Sequence, residues 1–144
     1  MTSRHRAPRV PAPDELSFMK SFMLAIGTHP QVRIWRQNVG QIAIRDRTGK
    51  IVRMFDPGPP VGAADLSGIV VGPPSVAGLR LEIELKSATG DRSDAQIRWA
   101  EHIIAFGGVY VLLTYDASRS MAENVAAAVA AIEAAIERRR RRAA

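Results

Sequence analysis

Residues 79–86, Leu-Arg-Leu-Glu-Ile-Glu-Leu-Lys, alternate in a way only a β-strand can use. Leu81, Ile83 and Leu85 fall on one side of an extended chain, and Glu82, Glu84 and Lys86 on the other. The apolar side requires a core to pack on, so the strand belongs to a sheet. The ionised side either faces solvent or faces something that needs three charges. Lysine is scarce here: of 20 basic residues only Lys20, Lys50 and Lys86 are lysines, so an amine beside two glutamates stands out. With 144 residues, 47% of them apolar and 24% charged, the chain has one domain's worth of core-forming sequence and is not a disordered polymer.

The other elements follow from periodicity and punctuation. Residues 1–13 hold Pro8, Pro11 and Pro13 among arginines and read as a basic, flexible arm. Leu16, Phe18, Met19, Phe22, Met23 and Ile26 recur at helical spacing, which predicts a helix over 14–27 with Asp14 as N-cap and Gly27 as its stop. Val32 to Arg36 alternates apolar and basic residues as a strand. Ile42, Ile44, Ile51, Val52 and Met54 flank Arg47-Thr48-Gly49 as a hairpin, and 56–62 is a Gly/Pro loop. Further strands are expected over 65–71, 79–86 and 109–113. Ser93-x-x-Gln96 is a capping box opening a helix to about Phe106, stopped by Gly107-Gly108. A last alanine-rich helix runs from about Ser120 to near Arg140, leading into an arginine-rich tail over 138–144. The order gives a single α/β domain over 14–137, a mixed β-sheet flanked by helices.

Composition removes several chemistries. There are no cysteines, hence no disulfides, thiolate zinc sites or cysteine nucleophiles, which fits a cytoplasmic setting. No apolar run nears the ~20 residues of a membrane span, and no apolar segment follows the first arginines as a secretory signal would need. The formal charge is +6. It lies at the ends: Arg4, Arg6 and Arg9 at one, Arg138, Arg139, Arg140, Arg141 and Arg142 at the other. Between residues 16 and 137 there are 12 basic and 12 acidic groups. Terminal arginine clusters suit a phosphate backbone or are simply solvated.

Asp65 opens the strand before 79–86. If those strands pair, Asp65 and Glu84 converge at one sheet end. Two close carboxylates repel unless a cation lies between them. A hard divalent ion, Mg²⁺ or Mn²⁺, takes such oxygens, and the Leu85 backbone carbonyl adds another. Lys86 shares the face, where its ammonium can orient a water or stabilise charge on a phosphoryl oxygen.

Asp followed by Glu-x-Lys is the signature of the PD-(D/E)XK nuclease superfamily, which the chain resembles, with Ala64 where the pattern has proline before the aspartate. Over roughly residues 33–115 it resembles the virus-type replication-repair nuclease (VRR-NUC) group. The similarity runs from Arg36-Gln37-Asn38-Val39-Gly40 through Gly62-Ala63-Ala64-Asp65-Leu66 and Glu82-Ile83-Glu84-Leu85-Lys86. It continues with Gly90-Asp91-Arg92-Ser93-Asp94-Ala95-Gln96, Trp99 and Gly107-Gly108-Val109-Tyr110-Val111. The resemblance implies a restriction-endonuclease-type core and metal-dependent cleavage of DNA phosphodiesters. It implies that Asp65 and Glu84 bind metal, that Lys86 is catalytic and that Gln96 helps complete the site.

Other residues carry two readings each. Gln96 is also the N3 member of the capping box, and the two roles are compatible. Glu15 either reaches from the first helix toward the metal or sits in a first turn that favours acids. Glu82 is assigned to the surface, with a supporting role behind Glu84 as the alternative. Asn38 and Gly40 shape either a phosphate-facing turn or a plain one. Arg36 and Arg92 join the terminal arginines as DNA contacts. His5, His29 and His102 are expected at the surface, and Trp35 and Trp99 in the core rather than as base-stacking platforms. The leading expectation is a Mg²⁺- or Mn²⁺-dependent endonuclease for branched or otherwise structured DNA, such as flaps or four-way junctions. It would act in DNA repair or phage metabolism, in a bacterial or phage-infected cytoplasm, and as a homodimer if it cuts junctions. The alternatives are a non-catalytic DNA-binding or assembly protein on the same fold, and a restriction-type enzyme.

Overall fold

The computed structural model describes residues 13–37, 42–56 and 58–144. Residues 1–12 of the arm expected over 1–13 lie outside them, as do Asn38 and Gly40, whereas Pro13 belongs to the first helix.

Helix α1 (Pro13–Ile26) opens with Asp14 and Glu15 in its first turn, where acids meet the positive end of the helix dipole. Strand β1 (Val32–Arg36) follows, then β2 (Ile42–Arg45), β3 (Ile51–Phe55), β4 (Leu66–Val70), β5 (Arg80–Ser87), helix α2 (Asp94–Ala105), β6 (Val109–Tyr115) and helix α3 (Met121–Ala143). The main sheet has the order β1-β4-β5-β6, antiparallel except for the parallel β5–β6 pair that brackets α2. The molecule is therefore an α/β domain with a mixed sheet flanked by helices, as expected. No described helix is long and apolar enough to cross a membrane.

Two differences from the expectation are physical. The 42–55 hairpin does not join the main sheet: β2 and β3 pair only with each other, and every β3 side chain is exposed. Alternation alone marks a hairpin without saying whether another strand accepts its edge. The arginine run expected as a tail is instead the last turns of α3, which continues to Ala143. Glu137 anchors it by accepting from Arg140 and Arg141 at 2.7 and 2.8 Å, and these guanidiniums hold its carboxyl down at about 2. Arg139 donates back to the Gly107 carbonyl at 3.2 Å.

The core lies between the sheet and the α1/α3 layer. Phe18, Phe22 and Ile26 of α1 and Ile132 and Ile136 of α3 pack against Leu66, Val70, Leu81 and Ile83. This is the apolar side of the β5 alternation. The charged side faces the other way, toward α2. A sheet with apolar packing on one face and one helix over a polar face leaves its polar groups to find partners within the protein.

Candidate active site

The pairing of β4 with β5 ends at Leu66↔Ile83, and one residue further the register sets Asp65 opposite Glu84. Strand β5 runs on past β4 to Ser87, so its last inward N–H groups have no strand partner. Side chains take them. Asp65 Oδ2 accepts from the Leu85 N–H at 2.8 Å, and Glu15 Oε1, reaching from α1, accepts from the Ser87 N–H at 2.9 Å. The carbonyl of an extended residue points to the same side as its N–H, so the Leu85 carbonyl is directed to the side where Asp65 sits.

Above this edge the face of β5 carries Glu84 and Lys86, both buried. Lys86 Nζ lies 2.9 Å from Glu84 Oε1. Gln96 joins them from the first turn of α2: its Nε2 donates to Glu84 Oε1, while its Oε1 accepts from Lys86 Nζ at 3.1 Å. The same Oε1 accepts from the Ser93 N–H at 2.9 Å, and Ser93 Oγ accepts from the Gln96 N–H at 3.3 Å. Gln96 therefore closes the capping box and touches Glu84 and Lys86 at once. The reciprocal capping box fixes where α2 starts, and that fixes the amide against the glutamate and the lysine.

Asp65, Glu84, Lys86, Gln96 and Glu15 thus meet at one open sheet end, drawn from the pre-β4 loop, β5, α2 and α1. Two residues there escaped the sequence reading. Tyr110 pairs with Glu82 in the parallel ladder and so shares the polar face. Burial, then the charges of Glu84 and Asp65, push its phenol up to about 12 against the opposing pull of Arg92. Arg92, expected to touch DNA, is accordingly at this cluster. No sequence spacing marks Tyr110, because the β5–β6 register decides its neighbours. Gln37 is the other: its side chain donates to Glu82 at 3.1 Å and its N–H to the Asp65 carbonyl at 3.0 Å.

Glu82 corrects the surface assignment. It is completely buried, accepting from Ser67 Oγ at 2.9 Å, Arg80 Nε at 2.7 Å, Trp99 Nε1 at 3.1 Å and Gln37. A local alternation cannot tell a solvated polar face from one roofed by a helix 12 residues later in the chain. Trp35, expected in the core, is 48% exposed, because β1 is an edge strand. Trp99 is half-buried, with its N–H spent on Glu82. His29, expected at the surface, is half-buried and lies 2.9 Å from Glu133. Arg36 pairs with Leu66, the register that puts it on the opposite face from Asp65. Arg138 to Arg142 belong to α3, in the layer across the sheet from α2.

Among the described residues no three histidine, aspartate or glutamate side chains form a ready metal-holding group. The hard-oxygen donors at the sheet end are the Asp65 and Glu84 carboxylates and the Leu85 carbonyl. That set matches the way Mg²⁺ is commonly held, by one or two carboxylates with water and substrate phosphate completing the shell. No protein-family model matches the chain, and no curated protein matches it significantly.

Proposed function

We propose that this protein is a metal-dependent nuclease with a PD-(D/E)XK-type core, hydrolysing DNA phosphodiesters and selective for branched or otherwise structured DNA. The observation that carries the reading is the convergence of Asp65, Glu84, Lys86 and Gln96 at one open sheet end. These residues come from three separate elements; the sequence reading grouped Asp65, Glu84 and Lys86 by their chemistry and added Gln96 from the family resemblance. A buried lysine 2.9 Å from a buried glutamate also has a plain structural reading as an ion pair. The ion pair does not involve Asp65 and Glu15, which serve the N–H groups of β5 at the same edge and so add carboxylates beside it.

Asp65, Glu84 and the Leu85 carbonyl would hold Mg²⁺ or Mn²⁺, whose chemistry when bound is to neutralise phosphate charge and lower the pKa of a water. The rest is done by the chain. Lys86 brings an ammonium to the oxygens that gain charge as a phosphodiester is attacked. Gln96 restrains both Lys86 and Glu84, so the amine and the carboxylate keep one geometry. The opening of α2 turns N–H groups toward the same end, which favours an anionic phosphate. Arg92 supplies a further cation beside Tyr110.

The test is cleavage of labelled flap, four-way-junction and linear duplex DNA with Mg²⁺ or Mn²⁺. Cutting of branched substrates is expected. Glu84→Ala and Lys86→Ala should each lower the rate about 10²-fold or more while the proteins stay folded by circular dichroism. Unchanged cleavage in either variant removes that residue from the mechanism. Tight, salt-sensitive DNA binding with no metal-stimulated cleavage would instead favour a non-catalytic DNA-binding protein. Junction cutting would require two sites and hence a homodimer, which sedimentation on a junction substrate would detect.

A further inference from the structure

Helix α2 has a second side. Gln96 turns to the catalytic cluster, whereas Ala95, Arg98, Trp99 and His102 line a groove of about 450 Å³ whose opposite wall is Pro60 and Val61. That volume lies in the ~300–1,000 Å³ range of small-molecule sites. The width of the groove is fixed by backbone. Gly62 has φ +94°, and a Cβ there would come within 2.4 Å of the Ala95 carbonyl oxygen, so the turn is pressed directly on the helix. Trp99 is fixed too: its N–H is held by the buried Glu82 carboxylate, and its ring lines the groove.

The groove has a consistent chemistry. No carboxylate lines it, and Arg98 has no ion pair among the described residues. Its aromatic lining continues along the helix. His102 stands edge-on to Phe106, ring centroids 4.9 Å apart, and Phe106 is 80% exposed. Trp99, His102 and Phe106 are spaced i, i+3 and i+7, one face of a helix. Rigid aromatic rings in a row, with a cation beside them and no acid among the lining residues, fit flat bases joined by phosphates. A base inside a duplex has its faces already stacked, so the fitting ligand is an unpaired strand. Trp99 is three residues from Gln96, about 4.5 Å along the helix axis.

We infer that this groove and the His102–Phe106 pair bind unpaired nucleobases of a DNA strand leading to the catalytic cluster, with Arg98 on the phosphate. The inference rests on the nuclease reading for its substrate but not for its test, which needs no cleavage. In EDTA, a Trp35→Phe protein, whose only indole is Trp99, is titrated with a 12-nucleotide oligothymidylate and, separately, with a blunt hairpin duplex. The oligothymidylate should quench Trp99 emission. Phe106→Ala and Arg98→Ala, both at exposed positions, should each weaken its binding at least about fivefold and leave duplex binding unchanged. His102→Ala should act in the same direction. No quenching, or equal losses for both DNAs, overturns the inference. Quenching and selective loss in a protein that never cleaves with Mg²⁺ supports the groove and sinks only the nuclease. Cleavage of branched DNA with no response to Phe106→Ala or Arg98→Ala sinks only the groove.

Discussion

Glu82→Ala should be among the most destabilising single substitutions in this chain, although nothing about its position in the sequence says so. The carboxylate is completely buried and accepts from Ser67, Arg80, Trp99 and Gln37. Removing it affects those donors unequally. Arg80 is 49% exposed and turns to water at little cost. Gln37 is half-buried and partly recovers. Ser67 is completely buried, and the Trp99 N–H points into the same interior. An unsatisfied buried donor costs ~1–3 kcal/mol, so these two alone account for about 2–6 kcal/mol. At ~3 °C per kcal/mol for a domain of this size, the melting temperature should drop by about 6–18 °C. Thermal unfolding followed by circular dichroism measures it. Arg80→Ala should cost far less, because Ser67 and Trp99 keep their acceptor. A melting temperature for Glu82→Ala within 2–3 °C of the parent, or a larger loss for Arg80→Ala, would refute the view that Glu82 ties β1, β4 and α2 together.

Three further outcomes are expected. Gly62→Ala should destabilise by ~2 kcal/mol or more in urea titrations, because φ +94° disfavours any Cβ and the Ala95 carbonyl stands in its way. Glu15→Ala should cost ~1–2 kcal/mol by the same measurement, as it strips the acceptor from the Ser87 N–H at the end of β5. If the nuclease reading holds, it should also raise the Mg²⁺ concentration needed for half-maximal cleavage. Tyr110 gives a pH signature. Its phenol is raised to about 12 in the folded protein against 10 unfolded. Between those values the unfolded chain has lost the proton and the native chain has kept it, so this group makes stability fall as pH rises through that window. Below pH 10 both states are protonated and it contributes no slope. Tyr110→Phe should flatten the decline between pH 10 and 12 in chemical unfolding.

What could be read in advance followed the range of the interactions involved. Capping by Ser93 and Gln96, the β5 alternation and the turn at Gly107-Gly108 are local, and each element they define is found within one or two residues of its expected place. The meeting of Asp65 with the Glu84–Lys86 strand needed one long-range assumption, that β4 and β5 pair, and they do. Tyr110, Gln37 and the burial of Glu82 needed more. They depend on the parallel β5–β6 register, on β1 lying beside β4, and on α2 covering the polar face. None of these leaves a mark within a window of ten residues. Trp35 is the converse error: an apolar ring in a well-formed strand looks like core until the strand proves to be an edge.

The two glutamates of β5 show how burial and partners divide roles that the sequence makes look equal. They sit two residues apart on one face, and either one could be assigned to metal. Glu82 is enclosed by donors from four side chains, one just past the end of β1 and the others on β4, β5 and α2. A cation could reach it only by displacing an arginine, an indole and a buried hydroxyl together, each then left without its acceptor. Glu84 has Lys86 and Gln96 among its contacts, at the sheet end where β5 outruns β4 and where Asp65 and Glu15 also arrive. A ligand there adds to an edge whose backbone groups are already served by side chains. On the nuclease reading, the enclosed carboxylate is thus the fixed post and the edge carboxylate the one that takes the ion. Its consequence is a contrast that one pair of variants measures: if the nuclease reading holds, Glu84→Gln should abolish divalent-ion binding in isothermal titration, and it should also lower the melting temperature because the buried Lys86 ammonium loses its counter-charge. Glu82→Gln should lower the melting temperature by several degrees, because an amide NH₂ faces donors, and leave the binding of ions by the folded fraction intact. The opposite pattern would exchange the two roles.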